Sequence, residues 1–169
     1  KPFVIHDKEQ YYWEIQNIEF SWTARADAWV ANTFFQESVQ LMINAITLFE
    51  RGYFDCAFYS LRQSLEVSTT IIYLVDNDHD ERDAQLKNWR NQSKFPMYAQ
   101  MLKLLNDRGY AFTDIKNKMS DYFDEITEVK NKLNKYVHKQ GFQNFYSIRR
   151  QILNPYKSDD SINQDFEKY

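Results

Sequence analysis

The stretch TFFQESVQLMINAITLFERGYFDCAFYSLRQSLEVSTTIIYLVDN, residues 33 to 77, decides the fold. From Thr33 to Arg51 apolar residues recur at helical spacing, with Asn32 or Thr33 placed to cap the start and Gly52 to stop the end, which predicts a helix. A second helix is expected to begin near Asp55 and to carry Ala57, Phe58, Leu61, Leu65, Ser68, Ile72 and Val75 on or near its buried face. The link between the two, through Gly52 and Tyr53, is short, so an antiparallel hairpin is the economical arrangement.

Beyond the hairpin, ERDAQLKNWRNQS (81–93) and PMYAQMLKLLNDRG (96–109) read as two shorter helices, with Pro96 in a first turn and Gly109 as a stop. A long helix is expected from Thr113 to Gly141, acidic towards its start and basic towards its end, as the helix dipole favours. FYSIRRQIL (145–153) is expected to form one more short helix, closed by Asn154 and Pro155. The aromatic-rich segment YYWEIQNIEFSWTARADAWV (11–30) fits either a helix or a strand pair and has the apolar bulk to cover the bundle. With only 3 Gly and 3 Pro in 169 residues, hairpin turns are scarce. The expectation is an all-α, up-and-down bundle of four to five main helices: one domain over residues 1–157, its core at 33–153, and a frayed polar tail at 158–169.

The lone cysteine, Cys56, cannot form an internal disulfide and is expected to be a small buried hydrophobe. With no apolar run of membrane length, a soluble cytoplasmic protein is expected. A net charge of -3 argues against a surface built throughout for nucleic acid. Charge is uneven, however: no acidic residue lies between Glu128 and Asp159, whereas Lys130, Lys132, Lys135, Lys139, Arg149, Arg150 and Lys157 do. The acidic run DNDHDERD (76–83) is expected to be a solvated loop. It is no EF-hand, because the sixth position is Glu81 rather than Gly and the twelfth Lys87 rather than Glu. No pair of histidines has ligand spacing, no nucleotide-binding or nucleophile-elbow motif occurs, and no metal or cofactor is expected.

His138 sits near the end of KNKLNKYVHKQG (130–141). At ~100° per residue, Tyr122, Ile126, Val129, Leu133 and Val137 share the inward face of the long helix, and His138 falls roughly 140° from its centre. It therefore shares an outward stripe with Asn131 and Asn134, flanked by Lys132, Lys135 and Lys139. A histidine among amides and ammonium groups suits RNA chemistry: imidazole moves a proton near neutral pH, cations stabilise phosphate charge, and the 2′-hydroxyl supplies the nucleophile. The plainer reading is a histidine on a solvated helix end, favoured there by the dipole alone.

LFERGYFDCAFYSLRQSLEVSTTIIYL (48–74), followed after an insertion by EVKNKLNKYVHKQG (128–141), resembles the HEPN superfamily of small helical bundles found in bacterial toxin and defence systems and in RNA processing. The resemblance spans roughly residues 33 to 153. It implies a homodimer with two signature helices around a shared cleft and metal-independent RNA cleavage, with His138 as acid or base. The family's motif arginine has no counterpart: the three positions open to it hold Asn131, Lys132 and Leu133, of which Lys132 alone is cationic. Lysine does not reproduce the planar, two-pronged phosphate contact of arginine. The resemblance further implies that Arg62 and Glu66, one turn apart on the second helix, support the cleft; otherwise they form a solvent-facing pair. The expected function is RNA binding, with cleavage through His138, Lys132 and Asn131 and backbone contacts from Asn134, Lys135, Lys139, Arg149 and Arg150. The alternative is a non-catalytic dimerisation module that binds a partner protein or a nucleotide.

Overall fold

The computed structural model describes residues 4–21, 28–108 and 111–142. Among the described residues the fold is all-α, with seven helices: α1 (Lys8–Phe20), α2 (Trp29–Glu50), α3 (Phe54–Asp76), α4 (His79–Arg90), α5 (Tyr98–Asp107), α6 (Ala111–Lys118) and α7 (Ser120–Val137). The chain forms two compact units: residues 1–65 with 127–169, and residues 66–126. The expected helix at 145–153, the polar tail and the stop at Gly109 lie outside the described residues.

The first unit is organised by the expected hairpin, although α2 starts at Trp29 with Ala28 as its N-cap, so Asn32 and Thr33 lie inside the helix rather than capping it. Gly52, at φ 84°, takes the left-handed conformation that a side chain disfavours. Its N–H donates to the Phe49 carbonyl at 2.8 Å and that of Tyr53 to the Leu48 carbonyl at 2.9 Å, closing α2 in a Schellman turn. Phe54 then meets Phe49 edge-on at 4.9 Å. Farther along, the buried Ser38 and Ser64 hydroxyls lie 2.8 Å apart, and Ser64 Oγ also reaches the Ser38 carbonyl at 3.3 Å. Both pairs are nearly symmetric about Arg51, as an antiparallel hairpin requires. Small side chains at 38 and 64 let α2 and α3 approach closely, and their hydroxyls satisfy each other.

α1 resolves residues 11–20 of the ambiguous N-terminal segment as a helix, Trp29 and Val30 belong to α2, and residues 22–27 lie outside the described residues. It buries Ile15 in the core that also holds Ile5, Ile46, Phe49, Phe58 and Leu133, while Tyr11 and Tyr12 pack against that core. Trp13 and Phe20 remain exposed. Apolar residues on more than one side of α1 blur the helical period, which is why the sequence pattern left it undecided. Lys8 anchors the start of α1 to the end of α2 through both oxygens of Glu50, at 2.9 and 3.1 Å. That hydrogen bond holds the Lys8 ammonium above its ordinary pKa.

The second unit corrects several expectations. Asp78 is the N-cap of α4, its carboxylate accepting from the Glu81 N–H at 2.9 Å, and Asp80 and Glu81 occupy the first turn. The acidic run is thus mostly a helix start, where carboxylates meet the positive end of the dipole, rather than a loop. Arg82 turns back and donates to the carbonyls of Leu74, Val75 and Asn77 at 3.0–3.1 Å, satisfying the end of α3. Pro96 precedes the N-cap of α5, Met97, instead of lying in the first turn. Within this unit α3 buries Ile71, Tyr73 and Leu74 and leaves Ile72 and Val75 exposed, contrary to the expected face. The Tyr73 ring meets Phe95 edge-on at 5.8 Å and lies under the Arg108 guanidinium at 5.1 Å, which draws that side of the helix inward.

The long helix expected from Thr113 to Gly141 is two. Met119 separates α6 from α7, although its N–H donates to the Ile115 carbonyl at 3.0 Å and its carbonyl accepts from Phe123 at 3.1 Å. No Gly or Pro lies there to explain the interruption. Tyr122, expected inward, is 52% exposed, and Phe123 instead packs edge-on against Phe112 at 5.5 Å. No described helix is long and apolar enough to cross a membrane.

Candidate functional site

The candidate residues of α7 lie in the first unit, where the helix is held by two buried side chains. Leu133 is 1% exposed, and Tyr136 stacks face to face on Phe58 at 4.3 Å with an interplanar angle of 5°. Such a ring pair contributes ~0.5–1.5 kcal/mol beyond its burial. Fixing positions 133 and 136 leaves Asn131, Lys135 and His138 exposed and Lys132, Asn134 and Lys139 half-buried.

α7 ends at Val137, short of Gly141, because Lys139 takes the left-handed conformation at φ 52°. The Lys139 N–H donates to the Tyr136 carbonyl at 3.3 Å and the Gln140 N–H to the Lys135 carbonyl at 2.9 Å, a Schellman turn like that at Gly52 but built on lysine. His138 therefore stands in the closing turn, its own N–H donating to the Asn134 carbonyl at 2.9 Å.

Arg62 on α3 donates from Nε to Asn134 Oδ1 at 2.7 Å, a partly buried contact across 72 residues of sequence. A guanidinium is thus brought to the α7 stripe by another helix. Asn134 joins the two parts of the site, accepting from Arg62 with its side chain and from His138 with its backbone. Glu66, grouped with Arg62 in the sequence reading, is half-buried and belongs to the second unit. Arg149 and Arg150 lie outside the described residues.

The basic stripe is less uniformly positive than its sequence. Lys132 pairs with Glu128 one turn back at 3.1 Å, and Lys139 pairs with the Asp55 carboxylate at the start of α3. A segment without acids has acquired an acidic partner from a different helix.

Beside this turn opens a cleft of about 350 Å³ whose lining includes Leu48 from α2, Asp55, Cys56 and Tyr59 from α3, and Tyr136 and Lys139 from the α7 end. Cys56 is exposed here, correcting its expected burial. The first turns of α3 bury Phe54, Ala57 and Phe58, so 55, 56 and 59 face away from the core. Sequence reading missed Asp55, Tyr59 and Tyr136 as parts of a site, since they come together only through packing.

Residues 28–165 match a family of unknown function, DUF5677, and the chain belongs to it. No curated protein and no solved structure matches the chain.

Proposed function

We propose that this DUF5677 chain is a HEPN-like RNA-binding protein that engages the RNA backbone at the end of α7 and cleaves it without a metal through His138. The observation that carries the reading is the Arg62–Asn134 hydrogen bond, which sets a guanidinium against the stripe that ends in His138. A planar, permanently charged group at that place suits a phosphodiester better than the lysines, two of which are already tied to carboxylates. Exposed Lys135 adds a further cation.

In the reaction, the neutral imidazole takes the proton of the 2′-hydroxyl, whose oxygen attacks the adjacent phosphorus. The phosphorus–5′-oxygen bond breaks, leaving a 2′,3′-cyclic phosphate, and the imidazolium returns the proton to the departing 5′-oxygen. Arg62 and Lys135 stabilise charge on the phosphoryl oxygens while the bonds change.

The test is incubation of wild type, His138→Ala and Arg62→Ala with mixed-sequence single-stranded RNA in EDTA, with product termini resolved on a gel and binding read separately by anisotropy. Cyclic-phosphate ends from wild type, lost in both variants, are the expected result. Binding without cleavage removes the catalytic role of His138 and keeps the RNA-binding role. Neither binding nor cleavage refutes the RNA reading and leaves the non-catalytic partner-binding module.

A further inference from the structure

We propose that the cleft beside the α7 turn is a nucleobase subsite selective for guanine, with Asp55 as the group that reads the base. The inference deepens the RNA-binding reading and rests on it. At about 350 Å³ the cleft falls at the small end of the range typical of small-molecule sites and accommodates a flat heterocycle. Its lining offers the two things that recognition of an unpaired base requires, an aromatic face and a polar edge reader. Tyr59 is 53% exposed although it lies on a helix whose neighbouring Phe58 is fully buried, so its ring remains available for stacking.

The polar edge is the Asp55 carboxylate. A carboxylate is an acceptor only, with two oxygens side by side. Guanine alone among the four RNA bases presents two adjacent donors on its Watson–Crick edge, N1–H and the N2 amino group. Adenine sets a donor beside an acceptor, cytosine offers a single amino donor, and uracil flanks its one N–H with carbonyls. Asp55 therefore selects guanine by satisfying both donors, and it repels the adenine and cytosine ring nitrogens and the uracil carbonyls that take the place of one of them.

Lys139 is the positioning residue. Its ammonium pairs with Asp55, and its left-handed backbone places it there at the cost of a conformation better suited to glycine. The same turn carries His138, one residue earlier, so a base seated in the cleft brings its own phosphate to the closing turn of α7.

The experiment uses labelled single-stranded octamers, all uridine or with one central guanosine, adenosine or cytidine, titrated against the full chain by anisotropy in EDTA. Cys56 provides a local second readout, because it is the chain's 1 cysteine and it lines the cleft, so its alkylation rate by iodoacetamide reports occupancy. The expected result is that one guanosine tightens binding about tenfold or more over all-uridine, as hydrogen bonds to a charged group do, and slows Cys56 alkylation. Asp55→Asn removes both effects, so the guanosine and uridine octamers bind that variant equally. Tyr59→Ala, at a position that contributes little to the core, weakens the guanosine octamer. Equal binding of all four octamers by wild type, a preference retained in Asp55→Asn, or alkylation indifferent to the guanosine octamer each overturns the subsite while the RNA reading stands. Failure to bind any octamer overturns the RNA reading itself, and the subsite with it.

Discussion

Replacing Lys139 by glycine and by alanine separates the two roles this residue plays. Both substitutions remove the ammonium that pairs with Asp55, a contact whose side chains are 38% and 45% exposed. An ion pair so exposed contributes ~0.2–1 kcal/mol. The variants differ in the backbone. A left-handed conformation at φ 52° costs a residue with a Cβ ~1–2 kcal/mol. Glycine escapes that cost but forfeits ~0.5–1 kcal/mol through its freer unfolded chain. The pair loss cancels in the comparison, so at the central values Lys139→Gly should exceed Lys139→Ala in stability by ~0.75 kcal/mol. For a chain of this size that is a gap of roughly 1–4 °C in thermal midpoint. Thermal unfolding followed by helical circular dichroism measures it directly. An alanine variant as stable as the glycine variant, or more so, would refute the reasoning that α7 ends by forcing a lysine into a glycine-like turn.

Other outcomes follow from contacts of the first unit. In a double-mutant cycle with Ser38→Ala and Ser64→Ala, the hydroxyls should show a coupling of about 1 kcal/mol by urea unfolding, and additive losses would mean that they do not act as a pair. Leu133→Ala, at a site 1% exposed, should cost ~2–5 kcal/mol by the same assay, whereas Lys135→Ala should lie within ~0.5 kcal/mol of wild type. The Lys8 ammonium is held above its ordinary value of 10.5 by Glu50. The stability it adds over Lys8→Gln is therefore fully present below pH 10.5 and lost as pH rises through the raised value. A difference that vanished between pH 7 and 9 would contradict the pair.

The sequence displayed helices better than it displayed partners. Periodicity and Gly52 located α2 and α3 because burial on one face and a left-handed stop are both written locally. The same periodicity misplaced Tyr122 and Ile72 by one position, since neighbouring aromatic residues compete for the inward direction and packing against Phe112 or Phe95 decides between them. Arg62 was legible as a polar residue one turn from Glu66, but its bond to Asn134 was not, because spacing within a helix carries no information about another helix 72 residues away. Asp55 and Lys139 illustrate the point from the opposite side. Lys139 looked like a member of a local charge pattern and Asp55 like no more than a helix start, and each finds its partner on a different element.

The distances in sequence between paired groups also set an order of assembly. Ser38 and Ser64 are 26 residues apart, whereas Arg62 and Asn134 are 72 apart. Closing the longer loop costs roughly 0.9 kcal/mol more in chain entropy, and on a ribosome its second half emerges later. The α2–α3 hairpin can thus zip while α7 is still being made, presenting Phe58 and Arg62 as a waiting surface. The cleft and the stripe come into being only when α7 docks, so a chain in which only the α2–α3 hairpin has closed holds half of each and completes neither.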